Sequence, residues 1–206
     1  MKQNHPMSHN AAQLNAATTG YLAPAAERPP DLLEGQPMKL ADNRLAVLVL
    51  TWLAGHAGHE TGDYLVQDDW AARNKQCHTR PDQPIDGNDD RAPSQRVRDG
   101  RRALARHAVT YGVAQAVTKA LAYRAVGLRV PMRAQLAGVA VETTVHALID
   151  DGRLLRTFAE ITGKLAFHDL AAAGVNGRAL MDQAGHKGLQ IPLGAIVTTL
   201  LAGGAR

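Results

Sequence analysis

Cysteine is nearly absent from this chain of 206 residues: Cys77 is the single one, so no intrachain disulfide and no cysteine-based zinc site can form. Any metal must therefore sit among nitrogen and oxygen ligands. Aromatic residues reach only 4%, and the abundance of Ala, Leu and Val favours close-packed helices over a β-sandwich, which would want Tyr, Phe, Ile and Thr. No uninterrupted apolar run attains the ~18–20 residues of an unambiguous membrane span, and the mean hydropathy is -0.22. Also missing are a glycine-rich phosphate loop and a Gly-x-Ser-x-Gly elbow, and Cys77, in an expected flexible loop, lacks a plausible catalytic base, which removes the common nucleophile signatures. Residues 1–40 lack the basic start and apolar centre of a secretory signal, so a cytoplasmic location is expected.

What is present can bury one substantial core, since 45% of the residues are apolar. The reading is all-α: a disordered tail over 1–40, then a single bundle of about five helices over 41–206, with a mobile loop at 76–94. Asp42 is the candidate N-cap of a first helix that runs on to Lys75. Further helices are predicted over Gln95 to Val126, Met132 to Asp150, Arg153 to Asp169 and Arg178 to Leu201, the last kinked near Pro192. Pro81, Pro84, Gly87 and Pro93 mark the intervening loop. Its acidic run Asp86 to Asp90 lacks the alternating ligands and closing Glu of a calcium loop.

Three stretches place a histidine and an aspartate four residues apart: His59 with Asp63, His146 with Asp150, and Asp182 with His186. On a helix that spacing stacks both side chains on one face. Each pair lies in an apolar context, and a buried aspartate must be paired or ligating to be tolerated. Three such faces are expected to converge on one polar site holding a divalent metal ion, with His59, Asp63, His107, His146, Asp150, Asp182 and His186 as candidate ligands. Asp63, Asp150 and Asp182 are the candidate catalytic carboxylates. Gln67 and Gln183 stand one turn from, or next to, these groups and could position a water or substrate. His168-Asp169 has the form of the adjacent dyad of helical phosphohydrolases, without matching ligands at suitable distances.

A second feature is the basic stretch Arg91, Arg96, Arg98, Arg101, Arg102 and Arg106, in a chain of formal net charge +4. It could grip the phosphates of nucleic acid or of anionic lipid. Arginines at a helix N-terminus oppose the macrodipole, and that cost hints at a use. Apolar stretches at 44–55, 108–126, 134–149 and 191–203 also leave a membrane-associated bundle in play.

The segment from His59 to Lys75, with Asp63, Tyr64, Gln67 and Trp70 inside it, resembles the opening signature of the bacterial family catalogued as domain of unknown function 3307. His107, then His146 to Asp150, then Asp182-Gln183 to His186 resemble its later pieces in the same order, so the likeness covers about residues 44–200. It implies a small helical, often membrane-associated protein with a shared His/Asp site; relatives sometimes carry the label of transcriptional regulator, and the family has no established reaction. The residues support three expectations: a metal-dependent hydrolase, a non-enzymatic regulator that binds nucleic acid through 91–106, and a membrane-associated protein.

Overall fold

The computed structural model describes residues 40–203, and the expected tail falls largely outside them. The described chain is essentially all-α. Helix α1 spans Leu40–Glu60 and runs directly into a π-helical turn, Thr61–Val66. A short α2, Asp69–Asn74, follows; Asp68 caps it by accepting from the Ala71 amide at 2.8 Å. The first helix expected from Asp42 to Lys75 is thus three pieces, broken where Gly62 and the π turn interrupt the α-helical ladder.

The expected loop is irregular apart from a 3₁₀ turn at Cys77–Thr79. Asp89 ties it down, accepting from both Arg91 and Arg96. Helix α3, Pro93–Ala125, starts on a proline at its first position. It closes through Gly127, φ +69°, with the Leu128 amide donating to the Tyr123 carbonyl at 2.9 Å. Helix α4 is Met132–Asp150, α5 is Arg153–Ile161 and α6 is Leu165–His168. The helix expected over 153–169 is therefore split, and Gly163 at φ +70° supplies the break. A two-residue hairpin, β1 Ala171–Ala172 with β2 Val175–Asn176, stands where a loop was read. Helix α7, Gly177–Gly185, passes through a second π turn, His186–Gln190, into α8, Ile191–Gly203. Pro192 has no amide to donate, and the irregular turn directly before it absorbs that loss.

Helices α1, α3, α4 and α8 form the bundle, α3 and α8 each packing against both α1 and α4. Its interior is polar over most of its length. At one end Val47, Tyr123, Val130 and Ala134 make a small apolar core. Further along, Thr51 meets the Tyr123 hydroxyl at 2.6 Å, Lys119 pairs with Glu142, and Gln115 donates to Tyr111. Burial pushes Glu142 up to about 7, against the opposing pull of Lys119. Many large apolar side chains point outward, among them Val109, Val113, Val117 and Leu121 on α3. The helices approach closely through small residues, and Gly194 lies directly against the Glu142 carboxylate.

A methyl group at Gly194 would collide with Glu142, whereas Gly188 faces open space. Gly194→Ala is therefore expected to cost about 1–3 kcal/mol, and Gly188→Ala to be neutral or stabilising by up to about 1 kcal/mol. Urea unfolding midpoints of the two variants check the contrast.

Candidate metal centre

All seven ligand candidates meet at one place in the bundle. His59 and Asp63 come from the α1 end and its π turn, His107 from α3, His146 and Asp150 from α4, and Asp182 and His186 from α7 and the second π turn. The four histidines are fully buried or within 1% of it, as is Asp150. Asp63 and Asp182 have side chains 6% and 17% exposed, so Asp182 is the carboxylate nearest to solvent.

The candidate ligand atoms lie within a few ångströms of one another. His107 Nε2 lies 2.9 Å from His146 Nε2 and 3.0 Å from Asp150 Oδ2; His146 Nε2 is 3.2 Å from that oxygen. Asp63 Oδ1 stands 3.5 Å from His107 and 3.6 Å from His146. Two ligands each about 2.0–2.1 Å from one ion fall roughly 3.0–3.4 Å apart. Several of these atoms are buried without an aligned hydrogen bond, namely His59 Nδ1, Asp63 Oδ1, Asp150 Oδ2, Asp182 Oδ1 and His186 Nε2. Buried polar atoms are normally partnered, so unpartnered atoms on this many candidate ligands fit a site that can take an ion. Three triads each bring three ligand atoms within 4.8 Å of one another: His59, His146 and His186; Asp63, His107 and His146; Asp150, Asp182 and His186. The buried group can hold a metal ion.

The electrostatics divide the histidines: burial opposes the charge of His107, but its contacts with Asp150 and Asp63 outweigh that and raise it. Burial disfavours ionised Asp150, but the surrounding His107, His146 and His186 rings outweigh it and hold the carboxyl well below its usual range. Burial also lowers His146 and His59, keeping them neutral as ligands must be. His186 goes the other way: burial opposes its charge, but Asp150 at 3.4 Å and Asp182 at 3.3 Å push it up to about 10.

Four participants escaped the sequence reading. Gln190 Oε1 accepts from Nδ1 of His186 at 2.5 Å and of His146 at 3.2 Å, which turns both Nε2 atoms toward the carboxylates. Tyr111 stacks on His146 with ring centroids 3.6 Å apart and an 11° tilt. Lys75 donates to Asp150 Oδ1 at 2.8 Å, and Gln115 donates to the Tyr111 hydroxyl at 2.6 Å. Continued spacing of four was the available signal: His107, Tyr111, Gln115 and Lys119 on one helix, and Asp182, His186 and Gln190 along another.

Of the two glutamines read as positioning groups, Gln183 accepts from His59 Nε2 at 3.0 Å. Gln67 makes no side-chain hydrogen bond to the cluster, because the chain turns away after Val66. His168 bonds to Asp169 at 2.7 Å, and neither joins the ligand triads. Of the arginines, Arg91 is paired with Asp89 and Asp99, Arg96 with Asp89, and Arg106 with Asp68, while Arg98, Arg101 and Arg102 are exposed.

In the metal-free protein, a His186 raised from 6.5 to about 10 adds stability that is fully present below pH 6.5 and lost as pH rises toward 10. Unfolding midpoints measured across that window are expected to fall for the wild type and to stay flatter for His186→Gln. Parallel curves would show that His186 is not held protonated.

No protein-family model, curated protein or solved structure matches the chain.

Proposed function

We propose that this protein is a divalent-metal-dependent hydrolase that directs a water onto an ester or phosphoester. The observation that supports this reading is the convergence of four imidazoles and three carboxylates in one buried cluster, several of whose polar atoms have no hydrogen-bond partner. Asp63, His107, His146 and Oδ2 of Asp150 hold the ion in this reading, an N/O set suited to a divalent cation. The bound ion would supply Lewis acidity and acidify a water.

The remaining groups have separate roles. Asp182, the carboxylate nearest to solvent, takes the proton of the attacking water. His186, protonated between Asp150 and Asp182, gives a proton to the leaving oxygen, and their 3.3 Å contact lets the proton return. Lys75 places an ammonium beside Asp150, where negative charge developing on the substrate would be offset. Gln183 and Gln190 orient His59, His146 and His186.

Elemental analysis of the purified protein, beside the double variant Asp150→Asn and His186→Ala, tests the reading. A near-stoichiometric divalent metal that disappears in a folded variant is expected. A wild type that neither carries nor takes up zinc, manganese or magnesium would overturn it.

A second reading is favoured by one observation: Val109, Val113, Val117 and Leu121 form an exposed apolar row along α3, the three valines bordering a groove of about 340 Å³. Among the described residues no helix is long and apolar enough to cross a membrane. The reading is therefore association with a bilayer surface through this side of the bundle. Co-flotation with anionic vesicles, weakened in Val113→Glu, is expected, and protein left at the bottom of the gradient would sink it. The regulator alternative keeps Arg98, Arg101 and Arg102 as its exposed phosphate contacts.

A further inference from the structure

Beside the metal centre lies a small cavity of about 70 Å³ lined by Gln76, Thr79, Gly152 and four arginines, Arg80, Arg153, Arg156 and Arg178. These arginines are not those of the 91–106 stretch. They come from three parts of the chain that are distant in sequence: the end of the 3₁₀ turn, the first turn of α5 and the first turn of α7. Only tertiary packing brings them to one cavity.

Their charges are incompletely balanced. Arg153 pairs with Asp151 at 2.5 Å, and Arg156 with Glu160 at 3.0 Å and Asp169 at 3.7 Å. Asp151 and Asp169 are themselves shared, with His78 and His168 respectively. Among the described residues Arg80 and Arg178 have no carboxylate within ion-pair distance, and Nε of Arg178 is buried without a hydrogen-bond partner. Burial and the neighbouring Arg178 and Arg156 charges lower Arg80, a sign that like charges crowd there.

The backbone adds to the same sign. Helices α5 and α7 both begin at this cavity, and neither has an acidic residue in its first turn. The N-cap of α5 is Gly152 at φ +81°, which has no side chain to satisfy the first amides. Asn176 caps α7 by accepting from the Ala179 amide at 3.1 Å, so the uncapped end is that of α5, whose first-turn arginines oppose the helix dipole unless an anion offsets them. A tetrahedral oxyanion suits this arrangement, because the guanidinium fork bonds phosphate oxygens in pairs.

The position joins the cavity to the site. Gln76, on the cavity wall, donates to the backbone carbonyl of Asp150 at 3.2 Å, and Lys75, just before it, bonds the Asp150 carboxylate. We propose that Arg80, Arg153, Arg156 and Arg178, with Gln76, form a phosphoryl-binding site next to the metal centre. As a substrate subsite it rests on the hydrolase reading and narrows the substrate to a phosphorylated compound; as an anion site it stands without that reading.

Isothermal titration of the full chain with inorganic phosphate, at low and at physiological salt, tests it. With all proteins stripped of metal, the double variant Arg80→Gln and Arg178→Gln is expected to bind phosphate at least about tenfold more weakly, while Asp150→Asn with His186→Ala binds as the metal-free wild type does. The lysine versions of the two arginine replacements, which keep the charge, are expected to fall between. Binding that tightens once zinc or manganese is loaded would mark a phosphoryl group shared with the metal centre; binding indifferent to metal would mark a site for free phosphate, and either supports the pocket. The proposal is overturned if the wild type does not bind phosphate, or if a folded Arg80/Arg178 variant binds it undiminished. Loss of binding only in the Asp150/His186 variant would overturn it too, and would leave the metal reading intact.

Discussion

Every ionisable side chain buried along the axis of this bundle must find a partner, and the helices are arranged around that demand. A charge left alone in the interior costs several kcal/mol, more than most single contacts return. Lys119 is tolerable only opposite Glu142, and Asp150 only inside its ring of imidazoles with Lys75 at its outer oxygen. Each pairing is satisfied in one alignment of the helices, so the polar contacts set register in a way that interchangeable Ala and Leu contacts would not. Close packing through Gly194 is the steric side of the same constraint, since Glu142 fills the space a side chain there would occupy.

The two π turns connect this constraint to the centre. One carries Asp63 and ends the first helix, and the other begins at His186 and links α7 to α8, both beside the cluster. An extra residue in a turn shifts the angular position of everything that follows, which is one reason such turns recur at functional sites. Gln190, at the end of the second turn, reaches His146 and His186 together. One amide oxygen therefore orients two imidazoles from different elements, and Tyr111, stacked on His146, holds that ring from its face.

Charge is divided sharply around the site. Three carboxylates with Lys75 form a largely buried acidic group, while Arg80, Arg153, Arg156 and Arg178 line a cavity beside it. Basic residues there oppose both each other and the helix dipoles. Outward-facing Val and Leu residues on α3 add a third environment, apolar and exposed, at the opposite extreme from the bundle axis.

The all-α class was legible in the sparse aromatics and in the abundance of Ala and Leu, because helix propensity is local. So were the three His–Asp pairs, since spacing of four on a helix has one geometric meaning. His107 could be nominated but not placed, and Gln190, Tyr111 and Lys75 could not be assigned to the site at all. Their roles depend on which helices are neighbours and at what rotation, and no periodicity within one helix contains that. The breaks at the π turns and at Gly163 were hidden for a related reason: the apolar pattern continues through them, while the backbone responds to packing from outside. The four arginines beyond Asp150 are the clearest case. They lie up to 98 positions apart, between Arg80 and Arg178, and look in sequence like scattered surface charge. The sequence alone determined the helical class and the His–Asp pairs; tertiary structure decided where the helices break and which imidazoles, carboxylates and arginines share a site, because that requires contacts between segments that local propensity does not encode.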